Sequence, residues 1–150
     1  EIATAHGVRH APLAELYRDD GAAHLTLRPG ELLAAVLVGA PHPGTASAYR
    51  KARVRGAMDF PLAGVAVALR VQGGVLAELA VGIAGTNSHP LRLDTDALVG
   101  RAVDDTLLAE LGKRVAKQVG PMRSTVIAAN HRRVVAVATA QRLVRELASA

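Results

Sequence analysis

The spacing of apolar residues changes along the chain, from alternation in its first part to helical periodicity in its last part. In 61–71 the bulky residues occupy every second position, which predicts a strand with one bulky face and one small-residue face. Gly73–Gly74 can supply the positive φ angles of a two-residue hairpin turn, so 75–83 is predicted to return antiparallel. The bulky face should meet the protein's own helices, and the small face lets another group approach closely. The bulky positions of the two strands are Val65, Val67, Leu69, Val71, Val75, Ala77, Leu79, Val81 and Ile83, and the small ones of the first are Gly64, Ala66 and Ala68.

Weaker patterns precede this hairpin. A basic strand is predicted over 47–55, followed by a turn at 56–59. Alternation along this strand puts Tyr49, Lys51 and Arg53 on one face and Arg50 on the other. The alternation in 24–28 predicts a short strand, and the Val-rich end of 31–38 favours a strand there too, although so short an apolar run also fits a helix. Residues 11–17 are predicted to form one or two helical turns.

Three helices are predicted at the end of the chain. A short one runs from Asp94 or Thr95 through Val99, a second begins after the N-cap Asp104, and a third is capped by Ser124 and ends near residue 147. The order of elements predicts an α+β fold, in which an antiparallel sheet of three or four strands is followed by three helices packed on one face. The second helix has an apolar stripe, and the third has a basic side that we expect to face solvent or a subunit. These positions are Leu107, Leu108, Leu111, Val115 and Val119 in the stripe and His131, Arg132, Arg133, Arg142 and Arg145 on the basic side.

Composition narrows the class of protein. The chain has 150 residues, of which 50% are hydrophobic and only 2% aromatic, so Ala, Val and Leu must fill the core of one domain. No apolar run reaches the ~18 residues of a membrane helix, and without cysteine no disulfide or thiolate metal site can form. We expect a cytoplasmic protein. The net charge of +5 comes from scattered cations without an aromatic platform, which argues against nucleic-acid binding.

No self-contained active site is predicted. The chain lacks the Gly-x-Gly-x-x-Gly, Walker and Gly-x-Ser-x-Gly motifs. Capping and solvation account for the paired carboxylates Asp19–Asp20 and Asp104–Asp105. His6 and His10 have the spacing of a helical metal clip, but Gly7 weakens a helix there, so two exposed histidines are expected. No catalytic or metal-binding residue is therefore assigned.

The most specific motif is Ala-Tyr-x-Lys-x-x-x-Arg-x-x-x-Asp-Phe, which begins at Ala48 and precedes the small-residue strand. Together with Pro29-Gly-Glu-Leu-Leu33 and Ala128-Ala-Asn-His-Arg-Arg133, it resembles the C-terminal domain of the FAD-binding (medium) subunit of molybdenum hydroxylases. That family includes xanthine dehydrogenase, carbon monoxide dehydrogenase and 4-hydroxybenzoyl-CoA reductase. His131 stands where the family has tyrosine.

The resemblance implies two flavin contacts. Lys51 matches the lysine of the motif, and Leu33 matches the second leucine after Pro-x-Glu. Without the resemblance, the pattern around Lys51 favours an ordinary solvent-facing lysine on a strand. For Leu33, a position in the core fits the pattern as well as a flavin contact does. The family's glycine-rich FAD loops lie in two preceding domains, so residues 1–28 are predicted to end or leave an FAD-binding domain and 29–150 to form the CO dehydrogenase flavoprotein C-terminal-like domain. The chain begins at Glu1 rather than Met, so we expect a fragment that holds no FAD alone.

The function implied by the resemblance is electron transfer. The full-length subunit would relay electrons between iron–sulfur clusters and an external acceptor, while hydroxylation occurs on a molybdenum cofactor in another subunit. The implied partners are an iron–sulfur subunit, a molybdopterin subunit and the chain's own N-terminal FAD-binding domain. A homodimer is a further possibility. The alternative is a non-catalytic α+β dimerisation or interaction module without a cofactor.

Overall fold

The computed structural model describes residues 1–56, 58–120 and 127–149. Within them the strands precede the helices, and the strands form two antiparallel sheets, of three and four strands. The first sheet has the order β2-β1-β3 and the second the order β4-β5-β6-β7. The elements are β1 (Ile2–Thr4), β2 (Gly7–Arg9), β3 (Leu32–Leu33), β4 (Ala46–Ala52), β5 (Ala63–Gln72), β6 (Val75–Ala84), β7 (Leu91–Arg92), α1 (Asp105–Gln118) and α2 (Ala129–Ala148).

The core lies between the four-stranded sheet and the two helices. Alternate residues from Val65 to Leu69 in β5 and from Leu79 to Ile83 in β6 are buried on the helix side, as the alternation predicted, whereas the predicted core residue Val71 is 38% exposed. The apolar stripe of α1 and one side of α2 complete the same cluster. The α+β fold with helices on one sheet face is therefore confirmed. The buried residues of this core include Val65, Val67, Leu69, Val81, Ile83, Leu107, Leu111, Val115, Ala136, Ala140, Leu143 and Val144.

Local signals set the start of α1 and its close approach to α2. The Leu107 N–H donates to Asp104 Oδ1 at 2.7 Å, which confirms Asp104 as the N-cap. A Cβ on Gly112 would stand 2.6 Å from Gln141 Nε2 and 3.2 Å from Val137 Cγ1, so a larger residue would displace the Gln141 side chain. Gln141 in turn donates to the carbonyl oxygen of Leu108 at 2.8 Å.

The prediction of three helices was wrong for the shortest one. The segment Asp96–Leu98 is a single 3-10 turn, and Thr95 does not cap it. The Thr95 hydroxyl instead donates to the carbonyl oxygen of Leu79 at 2.7 Å, which ties the segment to β6. The described part of the chain thus holds two α-helices, and the predicted cap Ser124 lies outside it.

Two strand predictions in the first part of the chain were also wrong. In 24–28 only Leu25 forms an isolated bridge, to Tyr17. In 31–38 only Leu32–Leu33 pairs as a strand, because β1 offers just three residues to its neighbours. The hairpin of β1 and β2 was missed, since three-residue strands are too short to show a period.

The predicted hairpin turn is confirmed, with φ angles of 59° at Gly73 and 80° at Gly74. A bulge follows it, because Arg70 pairs with Glu78 while Val71 pairs with Leu76. Because of this shift, the side chain of Leu76 is buried in the core, whereas Val75 and Ala77, which were predicted to face the core, are only partly buried.

Candidate functional site

Strand β4 presents its two adjacent cations to opposite faces of the sheet. Lys51 pairs with Gly64 on the face away from the helices, whereas Arg50 pairs with Val65 on the helix side. Tyr49 shares the outer face with Lys51, as predicted. The strand ends at Ala52, however, so the prediction that it continues to residue 55 was wrong.

The two cations also differ in their partners. Arg50 Nη2 lies 2.7 Å from Glu146 Oε2 on α2, so its charge is paired in a contact between β4 and this helix. Lys51 is exposed, and no residue in the described part of the chain pairs with its ammonium group. Lys51 is therefore the cation of β4 that is free to meet an anionic group.

Tyr49 lies over Gly64, the residue directly opposite Lys51. A Cβ built on Gly64 would stand only 2.7 Å from the Tyr49 hydroxyl oxygen. Any side chain at this position would push the ring aside, so the missing side chain of Gly64 leaves room for the Tyr49 ring. The aromatic ring and the Lys51 position consequently flank one glycine on the open face.

The rest of the outer face is a shallow depression floored by small residues. Its volume is about 490 Å³, and Tyr49 and Arg92 stand at its sides. Since both described helices pack on the opposite face, Ala66 and Ala68 are available to a neighbour, as the alternation predicted. The floor residues are Ala66, Ala68, Ala80 and Gly82.

The loop between β4 and β5 is held by Asp59. Its carboxylate accepts the N–H groups of Arg55 and Val54 at 2.8 and 3.2 Å, and it pairs with the Arg55 guanidinium at 3.2 Å. The backbone hydrogen bond from Arg55 is the main reason that the pKa of Asp59 falls to about 2. The predicted turn is thus fixed, while Met58 and Phe60 on it are 97% and 88% exposed.

Arg132 closes the same end of the sheet and was not predicted to do so. Its Nη1 donates to the carbonyl oxygens of Pro61, Leu62 and Gly85 at 2.9, 3.2 and 3.0 Å. The expected solvent- or subunit-facing role is therefore wrong for Arg132. The phrase Ala-Ala-Asn-His-Arg-Arg marked the position, but nothing in it pointed to distant backbone carbonyls.

Leu33 occupies a different place from Lys51. It lies on β3, pairs with Ile2 in the first sheet and is 40% exposed. The small depression that it lines also includes Leu13 and Leu16 but not Lys51. The two predicted flavin contacts are therefore on separate sheets and do not form one pocket in this chain.

Glu31 fixes the position of β3. Its carboxylate accepts hydrogen bonds from Nε and Nη2 of Arg9 at 2.9 and 3.0 Å, and from the Arg28 N–H at 2.9 Å. The hydrogen bond with Arg9 is the largest cause that lowers the pKa of Glu31 to about 2. The glutamate of Pro29-Gly-Glu-Leu-Leu33 thus joins the start of β3 to β2.

The candidate metal ligands and acid–base pairs have ordinary structural roles. His6 follows β1, where its N–H donates to the Thr4 hydroxyl, and His10 Nε2 lies 3.4 Å from Glu1 Oε1. Asp20 accepts the N–H groups of two following residues. Across 1–56, 58–120 and 127–149, no three His, Cys, Asp or Glu residues are grouped to hold a metal ion.

Neither helix that the structure describes combines the length and apolar character needed to cross a membrane.

Comparisons with known proteins agree with this arrangement. The carbon monoxide dehydrogenase medium chain of Afipia carboxidovorans is 31% identical over 110 residues, which are 72% of this chain and 37% of the relative. The CO dehydrogenase from Oligotropha carboxidovorans superposes with a TM-score of 0.89 at 27% identity, over 99% of this chain and 51% of the other. This chain therefore spans about half the length of the solved relative, and less of the medium chain.

Quinoline 2-oxidoreductase from Pseudomonas putida 86 has the same fold, with a TM-score of 0.80 over 99% of this chain and 51% of that one, at 23% identity. The family described as the CO dehydrogenase flavoprotein C-terminal domain matches residues 47–147. That range contains the four-stranded sheet from Ser47 onwards, α1, and α2 except for its last residue. The chain accordingly belongs to the CO dehydrogenase flavoprotein C-terminal domain family.

Proposed function

We propose that the chain is the C-terminal part of an FAD-binding oxidoreductase subunit. In this proposal the subunit relays electrons between iron–sulfur clusters and an external acceptor within a molybdenum hydroxylase complex. The observation that carries it is the family match over 47–147, which includes the strand that presents an unpaired Lys51. The relative that is 31% identical is named as the medium chain of a carbon monoxide dehydrogenase, which supports the oxidoreductase class.

The residues present fit one wall of a flavin site. Lys51 offers a point charge on a rigid strand, and the neighbouring face is floored by small residues that a flat group can approach. Bound FAD would supply the electron-transfer chemistry. Lys51 would hold a fixed positive charge beside it, and Leu33 would supply an apolar contact from the other sheet. The pyrophosphate must be held elsewhere in the full-length subunit, because the chain has no glycine-rich phosphate loop.

The partners we propose are the chain's own N-terminal FAD-binding domain, an iron–sulfur subunit and a molybdopterin subunit. Residues 1–28 would end or leave the FAD-binding domain, and 29–150 would form the C-terminal domain, with β3 pairing across to β1. A cluster of exposed apolar residues around the first sheet supports a covering domain, since soluble monomers rarely leave such residues grouped. They are Val8, Leu13, Leu32, Leu33, Val36, Leu37 and Val38.

We place the full-length subunit in the cytoplasm. A sequence without cysteine is compatible with a reducing compartment. Fractionation of cells that express the tagged full-length subunit tests this placement.

The second candidate is a dimerisation module without a cofactor. The open face of small residues favours it, because such a face can pack closely against a second copy. Lys51 and Arg92 stand on that same face and would repel their equivalents in a symmetric dimer. We therefore favour the flavoprotein.

Purification of the full-length subunit tests the proposal. We expect a yellow protein with about one FAD per chain, by absorbance and by cofactor release. A folded, colourless full-length subunit that forms dimers would contradict the flavoprotein proposal and favour the module.

A further inference from the structure

Three carbonyl oxygens converge at the open end of the β5–β6 hairpin. Pro61 and Leu62 immediately precede β5, and Gly85 immediately follows β6, so all three lie at the end opposite the Gly73–Gly74 turn. A single guanidinium nitrogen, Arg132 Nη1, lies within 3.2 Å of each oxygen. The side chain comes from the first turn of α2 and reaches backbone that is 47 to 71 residues away in the chain.

The two backbone segments that Arg132 joins are also in direct contact. Gly85 has a φ of 79°, and a Cβ on it would stand 2.7 Å from Pro61 Cγ. No side chain fits between them without displacing the proline or straining the backbone. The contact brings the carbonyl groups together, so that one guanidinium group donates to all three, and hydrogen bonds from a charged donor are stronger than those from a neutral one. Arg132 supplies that charge from a half-buried position.

The clamped backbone continues directly into the candidate site. The Leu62 N–H donates to the carbonyl oxygen of Ala52 at 2.8 Å, and the next cross-strand pairs are Ala52 with Ala63 and Lys51 with Gly64. A shift of Leu62 would therefore move the end of β4 and also Gly64, the residue on which the Tyr49 ring packs. It would also move residues 58–60, which directly precede Pro61 in the chain.

We propose that Arg132 is a positioning residue, which fixes the end of the sheet and thereby the place of Lys51 relative to the flavin. The clamp itself consists of the three hydrogen bonds from Arg132 Nη1. Its consequence for the flavin rests on the proposed function. The cation acts on backbone rather than on the cofactor, so its effect on redox properties is transmitted through Lys51.

The first test measures hydrogen exchange in the full-length subunit. Arg132→Met should raise amide exchange in 52–64 and 84–86 about tenfold, with little change at the centres of β5 and β6. Arg132→Lys should restore most of the protection, because an ammonium group also donates to several carbonyl oxygens. Arg142→Met is the matched control, since Arg142 is exposed on the same helix without a hydrogen bond to any described residue, and it should leave exchange unchanged.

A uniform rise in exchange over the whole domain would make Arg132 a general stabiliser and overturn the proposal, as would unchanged exchange. Gly85→Ala disturbs the same junction from its other side and should raise exchange over the same residues. It therefore tests whether this junction holds the end of the sheet in place, even where Arg132→Met folds poorly.

The second test measures the midpoint potential of the flavin with Lys51 intact and in a Lys51→Met background. Arg132→Met should shift the potential in the same direction as Lys51→Met, and should add little once Lys51 is gone. Fully additive shifts would mean that the Arg132 charge acts on the flavin by itself, and would overturn the positioning role. An unchanged potential in Lys51→Met alone would defeat the proposed role of Lys51, while the exchange results would still decide whether Arg132 is a clamp.

Discussion

Neighbouring side chains of β4 point to opposite faces, and this alternation gives adjacent cations different surroundings. Arg50 is paired with Glu146 of α2, whereas Lys51 faces outward without a described partner. A charge without an internal partner is available to pair with a ligand, and that interaction strengthens where the ligand excludes water from it. The local environment, rather than the residue type, therefore singles out Lys51 among the cations of this strand.

Gly64 and Tyr49 should be energetically coupled. Gly64→Ala brings a methyl group to 2.7 Å from the Tyr49 hydroxyl, so the ring must move, and we expect a loss of up to ~1 kcal/mol in unfolding free energy. In a Tyr49→Ala background the same change should instead stabilise by about 0.4–1 kcal/mol, because alanine restricts the unfolded chain. Urea unfolding of the four variants measures the coupling, and equal effects of Gly64→Ala in both backgrounds would contradict it.

Glu31 should make the stability of the protein fall in acid. Its pKa of about 2 in the folded state lies below its ordinary value of 4.5, because Arg9 and the Arg28 N–H favour the carboxylate. A depressed pKa contributes stability above about pH 4.5, and this contribution is lost as the pH falls towards 2. Glu31→Gln should be less stable at pH 7 and show a flatter dependence between pH 5 and 2. Urea unfolding across this range tests it, and parallel curves for the two proteins would contradict the role of Glu31.

At the scale of elements, the sequence identified those with strong local patterns. Helix α1 has a capping aspartate and a complete apolar stripe, and the β5–β6 hairpin has a two-glycine turn between alternating strands. The bulge after Arg70 could not be predicted from the sequence. It brings Leu76 into the core instead of Val75 and Ala77, and all three residues are apolar, so the pattern does not distinguish them. The short strands of the first sheet depend on partners from distant parts of the chain, so their local pattern carried little information.

The site was predictable to the same extent. Alternation along β4 placed Lys51 and Arg50 on opposite faces correctly, since register follows from the buried face. The Arg132 clamp joins α2 to the ends of β5 and β6, and no local pattern encodes such a contact. The predicted flavin roles of Lys51 and Leu33 remain predictions, and the structure adds that the two residues lie on different sheets.

The two faces of β5 should respond differently to added volume. Ala66 is exposed on the outer face, so Ala66→Leu should leave this chain folded and weaken its assembly with the FAD-binding domain in the full-length subunit. Ala63 is fully buried against the helices, and the matched change Ala63→Leu should destabilise the chain by about 1–3 kcal/mol. Urea unfolding of the chain and flavin content of the subunit measure the two effects. Strong destabilisation by Ala66→Leu would place that residue in the domain's own core.

At the scale of the whole molecule, this chain spans about half of its solved relatives and leaves apolar side chains of the first sheet uncovered. We expect the 150-residue chain to fold alone, because the core of the second sheet and the helices is complete, yet to be colourless. It lacks the glycine-rich loops that hold a pyrophosphate. Absorbance of the purified chain after addition and removal of excess FAD tests this. Stoichiometric retained flavin would contradict it.

The midpoint potential of the flavin in the full-length subunit decides whether Lys51 faces the flavin. Lys51→Met keeps much of the side chain but removes a positive charge that favours electron uptake, so we expect a lower potential and slower electron transfer with unfolding free energy nearly unchanged. Arg50→Met is the control: it breaks the exposed pair with Glu146, should cost about 0.2–1 kcal/mol of stability and should shift the potential less. Equal potentials for wild type and Lys51→Met would contradict the claim, and a larger shift from Arg50→Met would assign the role to Arg50 instead.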